Sequence, residues 1–272
     1  MKRRFVEILH IICILAVFYV GILYFFQNTF LFYPDRKYIT PFQAGFTSFK
    51  EITLQAADGN PIRTWYFEGD KRKPAILFLH GNARQIATFV PALMPLVKNG
   101  YTVLGMEYRS FAGVPGKITQ KDIFNDGVTA FDFLKEQGYP KVVVYGYSFG
   151  AAFSSGVISL RPADALILTS PFYSLKSLVK EKPLPFAYLL LKDEYPSYKF
   201  VENFDKPLLI IHGKADKLIP PHHAQDLFEK ATSSKKELYL LDGQNHHQTY
   251  FDGPNMPYIL DFLKRLEVKN GK

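Results

Sequence analysis

One stretch of the chain has residue types in a spacing typical of nucleophilic catalysis. Residues 142–145 are apolar and mostly β-branched, as in a buried parallel strand, and Gly146-Tyr147-Ser148-Phe149-Gly150 follows directly. Small residues then allow a helix to begin. In such a strand–turn–helix the glycines leave room where the chain doubles back, and the serine between them is held in a strained conformation. We predict Ser148 as a nucleophile at a helix N-terminus; the alternative is a tight turn whose serine only caps the helix.

A serine at neutral pH needs a base within hydrogen-bond reach and a third group that orients the base. Two later loops carry suitable residues, 212–220 after a predicted strand at 207–211 and 242–247 after one at 237–241. Since the carboxyl ends of parallel strands meet at one edge of a sheet, these loops should lie beside the serine. Asp216 is the predicted acid, with a helix cap as its alternative role. Spacing alone leaves both His246 and His247 as possible bases.

The developing oxyanion requires two fixed donors. The backbone N–H of Phe149 follows the nucleophile and supplies one. The loop after the predicted strand 75–79 should supply the other, from Asn82 or its neighbour Ala83; an ordinary strand-to-helix turn is the alternative. His80 and His212 stand at strand ends, where we expect them to bond backbone groups near the site.

The composition gives no sign of a cofactor, a metal or a nucleic acid. Serine catalysis of this kind requires no cofactor. The only cysteine is Cys13, and the histidine pairs 222–223 and 246–247 are poor chelators if neighbouring side chains diverge, so we predict no metal site. The formal net charge of +8 is spread along the chain, with no basic run longer than residues 71–73. Nucleic-acid binding would need a clustered patch, so we do not predict it.

Strands alternate with helices after an antiparallel hairpin at 49–55 and 62–67, which predicts an α/β fold with a mostly parallel, doubly wound sheet. Pro91 and Pro95 are expected to kink or divide the helix at 86–97. The last helix is expected at Asn255 to Val268. Residues 173–205 break the rhythm with several prolines and an apolar patch at 184–191. We interpret this segment as a small lid; the alternative is a surface helix with irregular flanks.

The N-terminus predicts a membrane anchor. Residues 5–26 are almost continuously apolar and would form a helix about 33 Å long, enough to cross a bilayer. Aromatic residues form a collar at its far end, and the three basic residues that precede it orient the N-terminus to the cytoplasm by the positive-inside bias. We predict a signal anchor at 1–27, a connector at 28–48 and a catalytic domain at 49–272 on the far, periplasmic or lumenal, side. A cleaved signal peptide and a buried helix are the alternatives.

The chain resembles the α/β-hydrolase superfamily, and within it the bud-emergence-type branch of abhydrolase-domain and membrane-anchored serine hydrolases. The motifs that carry the resemblance are Leu79-His80-Gly81-Asn82-Ala83, Glu107-Tyr108-Arg109, Gly146-Tyr147-Ser148-Phe149-Gly150, His212-Gly213-Lys214-Ala215-Asp216 and Gly243-Gln244-Asn245-His246. The resemblance implies a Ser148–His246–Asp216 triad and therefore favours His246 over His247. It also implies ester or thioester hydrolysis.

Two positions depart from the family pattern, Glu107 in place of aspartate and Ser110 in place of glycine. Together with the anchor, the apolar patch in the predicted lid favours small or lipid-like acyl substrates. A small peptidase with the same triad, or a catalytically silent membrane adaptor on the same scaffold, are the alternative functions.

Overall fold

A computed structural model describes residues 2–267. The strands are β1 Tyr33–Pro34, β2 Lys50–Gln55, β3 Pro61–Phe67, β4 Ala75–Leu79, β5 Ala83–Arg84, β6 Thr102–Met106, β7 Val142–Tyr147, β8 Ala165–Thr169, β9 Leu208–Gly213 and β10 Lys236–Leu241. The α-helices are α1 Lys2–Leu31, α2 Ile86–Lys98, α3 Gln120–Glu136, α4 Phe149–Leu160, α5 Leu175–Lys180, α6 Ser197–Val201, α7 His222–Lys230, α8 Gln248–Phe251 and α9 Met256–Leu266. The predicted end of the last helix, Val268, lies outside the described residues.

Eight strands form one twisted sheet in the order β2-β3-β6-β4-β7-β8-β9-β10. The hairpin β2–β3 and the β3–β6 pair are antiparallel, and every other neighbouring pair is parallel. The central strands are buried on both faces, as their continuous apolar sequences predict. This arrangement is the α/β-hydrolase fold, so the predicted fold class is confirmed. The carboxyl ends of β4, β7, β9 and β10 all open at the same edge of the sheet.

Helices cover the two faces of the sheet because side chains alternate along each strand. Leu77 of β4 packs in one core layer with residues of α3, α4 and α7, while Ile76 and Phe78 pack in the other with residues of α2 and α9. The helix α2 runs unbroken from Ile86 to Lys98 with both of its prolines inside it, so it is not divided there. Residues 173–205, hereafter the 173–205 segment, contain α5, a 3₁₀ turn at Ala187–Leu189 and α6.

The N-terminal helix α1 is long and apolar enough to cross a membrane. It continues to Leu31, four residues beyond the predicted end of the anchor. Only Gln27 is buried along it, and the chain that follows, β1, pairs in parallel with β5 to form a separate two-stranded sheet. The helix makes hydrogen bonds to the domain from Tyr19 onward, while most of its apolar surface is exposed.

Candidate active site

The turn between β7 and α4 places Ser148 at the carboxyl edge of the sheet. Its φ and ψ are 57° and −119°, a conformation that costs a non-glycine residue backbone strain. A Cβ on Gly150 would stand 2.0 Å from the carbonyl oxygen of Leu79, and one on Gly146 would stand 2.2 Å from the carbonyl oxygen of Gly150. Both positions therefore require glycine. The close packing holds the serine where β7 ends and α4 begins.

Three of the predicted side chains lie in line. The Oγ of Ser148 is 3.0 Å from Nε2 of His246, and Nδ1 of His246 is 2.6 Å from Oδ2 of Asp216. All three residues are at least 95% buried. The carboxylate fixes the proton of the imidazole on Nδ1, which leaves Nε2 free to accept a proton from the serine. This arrangement can generate a serine nucleophile at neutral pH.

Asp216 is held as an anion by four donors. Its Oδ1 accepts the backbone N–H groups of Leu218 and Ile219, both at 2.9 Å. Its Oδ2 accepts a hydrogen bond from Nδ1 of His246 and lies 3.2 Å from Nε2 of His212. The same nitrogen of His212 also donates to the carbonyl oxygen of Ile219. Burial by itself raises the pKa of the Asp216 carboxyl, but the hydrogen bonds from His212 and His246 outweigh it and hold the pKa well below its usual range. The expected backbone bond of His212 is present, and its additional contact with Asp216 was not predicted.

The loops that carry the acid and the base are joined to each other. The N–H of Ala215 donates to the carbonyl oxygen of Gln244, and a Cβ on Gly213 would stand 2.2 Å from that same oxygen. Tyr147 donates its hydroxyl hydrogen to the carbonyl oxygen of His246 at 3.2 Å. The structure therefore brings His246 to the serine. The competing candidate His247 is exposed, and no hydrogen bond among residues 2–267 joins its ring to Ser148 or Asp216.

The loop after β4 passes beside Ser148. A Cβ on Gly81 would lie 3.6 Å from the Cβ of Ser148. Among the hydrogen bonds of residues 2–267, none uses the backbone N–H of Asn82 or of Phe149 as a donor, so both groups are free for a substrate oxygen. Phe149 begins α4, where the helix dipole adds to the attraction for a negative charge.

A buried pair beneath this loop was not identified as a pair from the sequence. His80 and Glu107 are both fully buried, and Nε2 of His80 lies 3.0 Å from Oε1 of Glu107. The other oxygen of Glu107 accepts the first N–H of α2, from Ile86, at 2.9 Å. Glu107 thus ties the loop after β4 to the helix that follows it. The available signal was its position directly after β6, at the carboxyl edge of the sheet.

The end of α1 also contacts the loop after β4. The side-chain amide of Asn82 donates to the carbonyl oxygen of Leu31 at 2.6 Å, and the N–H of Tyr33 donates to the carbonyl oxygen of Asn82 at 2.9 Å. The ring of Phe32 packs edge-on against Phe149, with 5.1 Å between their centroids. Because the contact at Leu31 is made by a backbone carbonyl, no side-chain motif in the sequence signals it.

The predicted divergence of His222 and His223 is wrong. Their rings stack 4.5 Å apart, and Nε2 of each ring lies within 3.3 Å of Oε1 of Glu181. Nδ1 of the buried His223 accepts the N–H of Tyr173, so in the neutral ring the proton is on Nε2 and faces the carboxylate. His222 makes a hydrogen bond with Glu181, the residue that follows α5, whereas Nε2 of His223 has no hydrogen-bond partner among residues 2–267.

Several known proteins are similar to this chain in sequence or in fold. A family model, Hydrolase_4, described as serine aminopeptidase S33, matches residues 70–206 and 198–252. Uncharacterized protein Rv2307c of Mycobacterium tuberculosis is 27% identical over 267 residues, which cover 94% of each chain. Lysophosphatidylserine lipase ABHD12 of Danio rerio is 26% identical over 232 residues, 74% of this chain and 61% of the lipase. The Pyrococcus furiosus esterase Pf2001 has a similar fold, with a TM-score of 0.68 and 23% identity over 86% of this chain and 98% of the esterase.

Proposed function

We propose a function from the premise that this chain belongs to the Hydrolase_4 family of α/β-hydrolases, whose model matches most of its length. The protein is a membrane-anchored serine hydrolase that cleaves carboxylic ester or thioester bonds through an acyl-enzyme. The observation that carries the proposal is the line of hydrogen bonds from Ser148 through His246 to Asp216.

In the first half of the reaction, Ser148 Oγ attacks the carbonyl carbon while Nε2 of His246 takes its proton. The resulting oxyanion is bound by the N–H groups of Phe149 and Asn82, with Ala83 as the alternative second donor. His246 then gives its proton to the departing alcohol or thiol as the bond to the acyl carbon breaks. Asp216 keeps the imidazole oriented and stabilises its charged form.

In the second half, a water molecule takes the position of the leaving group. His246 accepts a proton from this water, which attacks the acyl carbon of the ester formed on Ser148. The proton then returns to the serine oxygen as the carboxylic acid departs. No redox partner is consumed in either half.

The substrate class is an acyl ester or thioester, small or lipid-like. Three features support it: the exposed apolar surface of the 173–205 segment, the apolar helix α1, and similarity to a lysophosphatidylserine lipase. α1 crosses the membrane with its N-terminus in the cytoplasm, which places the catalytic domain on the periplasmic or lumenal side. Protease added to that side of sealed membranes should digest the domain; full protection would contradict this topology.

Turnover of p-nitrophenyl esters of graded chain length by the detergent-solubilised full-length protein tests the activity. Ser148→Ala should lose at least about a thousandfold in kcat. Ser154→Ala is the matched control, because that hydroxyl is buried in α4 without a hydrogen-bond partner among residues 2–267. Cleavage of aminoacyl p-nitroanilides in place of esters would identify a peptidase. A folded protein with no turnover on esters, thioesters or anilides would identify a silent adaptor.

A further inference from the structure

The 173–205 segment lies alongside the part of α1 that is apolar enough to be within a membrane. The hydroxyl of Tyr19 donates to the carbonyl oxygen of Pro185 at 2.8 Å. About two turns further along the helix, the side chain of Gln27 donates to the carbonyl oxygen of Leu190 and accepts the N–H of Lys192. These contacts fix the depth of residues 185–192 relative to α1.

That depth follows from the geometry of a helix. Lys192 Nζ stands 4.5 Å from the ring centroid of Tyr24, so this cation marks a level that is in contact with water or lipid headgroups. Phe5 to Tyr24 rises about 29 Å, which matches the thickness of a hydrocarbon core. Tyr19 lies five residues before Tyr24, about 7.5 Å further along the axis towards the bilayer centre. The loop at Pro185 is therefore about 7.5 Å below the level of Lys192, within the range of about 5–10 Å for elements that insert from one side.

The loop has the surface that such a position requires. Residues 183–191 carry no charge and are flanked by Lys182 and Lys192. Phe186 is 69% exposed and Leu189 is 62% exposed, and a water-facing loop would gain nothing from exposing them. If Phe186 and Leu189 contact lipid tails, their apolar surface is removed from water.

The backbone of the loop is also suited to a medium without water. Two of its residues are prolines, which have no N–H. Four of its N–H groups bond to carbonyl oxygens within the segment: Leu184 to Lys182, Ala187 to Leu184, Leu189 to Phe186 and Leu190 to Ala187. The carbonyl oxygens of Pro185 and Leu190 accept from side chains of α1.

Between the loop and α1 lies a groove of about 60 Å³ with an almost wholly apolar lining, formed on one side by Leu23 and Leu31 and on the other by Leu184, Leu190 and Leu191. Its only polar side chain is that of Gln27, whose amide is already fully bonded. Such a groove is better filled by hydrocarbon than by water.

We propose that residues 183–191 are inserted into the same leaflet as the C-terminal half of α1, so that phospholipid acyl chains cover Phe186 and Leu189 and the groove opens into the bilayer. The inference rests on the proposed membrane-spanning role of α1. It places the membrane at the 173–205 segment, and not only at the anchor. Leu31 lines the groove and precedes Phe32, whose ring packs against Phe149, the residue after Ser148.

The test is quenching of an introduced tryptophan by phospholipids brominated on their acyl chains. The full-length protein is reconstituted in phosphatidylcholine vesicles as Phe186→Trp, as Leu189→Trp, and as Leu160→Trp. Leu160 is the matched control, because it is 46% exposed but lies at the far end of α4, about 17 Å from the nucleophile turn. The one natural tryptophan, Trp65, is fully buried and gives the same background in all three variants.

We expect the tryptophans at 186 and 189 to lose most of their emission, with an emission maximum at shorter wavelength, while the one at 160 is unaffected. Bromine near the headgroup end of the chain should quench more strongly than bromine near its methyl end, since the loop is shallow. If the protein floats with the vesicles but positions 186 and 189 are quenched no more than 160, the inference is overturned and the anchor stands. If the protein does not float with the vesicles, both fail. None of these readouts depends on catalysis, so the proposed hydrolase activity is tested separately.

Discussion

Replacing Asp216 by asparagine tests how the acid controls the base. Oδ1 of Asp216 accepts two backbone N–H groups, from Leu218 and Ile219. An asparagine at this position must keep its oxygen there, because its amide NH₂ would meet two donors. The NH₂ group then replaces Oδ2 and faces Nδ1 of His246.

The imidazole must respond to this change. Nδ1 of His246 can only accept from an NH₂ group, so the ring proton moves to Nε2, the nitrogen 3.0 Å from the Ser148 hydroxyl. With a proton there, the ring no longer accepts from the serine. A substitution of this kind in a serine protease lowers kcat about ten-thousandfold. We expect a loss of about 10³–10⁴ in kcat, or about 4–5.5 kcal/mol in activation free energy.

The assay is the hydrolysis of a short p-nitrophenyl ester at neutral pH, with KM measured beside kcat. KM should change little, because Asp216 does not face the substrate. Since the two backbone bonds on Oδ1 are kept, the Asp216→Asn protein should remain folded, as judged by near-UV circular dichroism. A folded variant that retains more than a tenth of the wild-type kcat would refute the assignment of Asp216 as the group that orients His246.

Three further predictions concern the support of the site. Deletion of residues 1–18 should preserve hydrolysis of soluble short esters. Deletion of residues 1–34 should abolish it, because Asn82 loses its bonds to Leu31 and Tyr33. Equal activities of the two variants would contradict the role of the end of α1. Arg109→Met should lower the free energy of unfolding by about 3–5 kcal/mol, measured by denaturant titration, because it leaves the buried carboxylate of Asp126 without its cation, and an additional Asp126→Leu should recover much of the loss. Burial lowers the pKa of His223 to about 4. Between pH 6.5 and 4 the unfolded chain therefore binds this proton more readily than the folded chain, and the free energy of unfolding should decrease as the pH is lowered. His223→Gln should flatten this dependence; an unchanged slope would show that another group is responsible.

The fold followed from local patterns that act independently of distant contacts. Apolar runs such as residues 142–145 and 165–169 lie between turn residues and helical patterns, and each became a central parallel strand. A parallel sheet brings the carboxyl ends of its strands to one edge, so the serine loop and the loops at 212–220 and 242–247 had to meet. For that reason the residues Ser148, Asp216 and His246 could be singled out together.

Other parts of the site depend on contacts that have no sequence signature. The carbonyl oxygen of Leu31 bonds Asn82, but every residue has a carbonyl oxygen, so only the path of the chain selects this one. The pairing of His80 with Glu107 spans 27 positions and depends on the spacing of β4 and β6 in the sheet. Spacing did not distinguish His246 from His247, because adjacent residues in one loop have no periodicity; only the family resemblance favoured His246.

The histidine pair at 222–223 shows a different kind of failure. Neighbouring side chains diverge in regular helices and strands, but these two residues begin α7, directly after Pro220 and Pro221. Their rings can there turn towards the same carboxylate, that of Glu181 just after α5. Divergence of neighbouring side chains is a property of the interior of a helix or strand, and it did not hold in the first turn of α7.

The most direct test of the central claim is the mass of the intact protein after reaction with a fluorophosphonate. The full-length protein should gain the mass of one phosphonyl group, located by peptide mapping on Ser148, and the Ser154→Ala control should gain the same mass at the same rate. Ser148→Ala should gain none, and His246→Ala should react far more slowly because its serine has no base. A Ser148→Ala protein that is labelled as fast as the wild type would contradict the account.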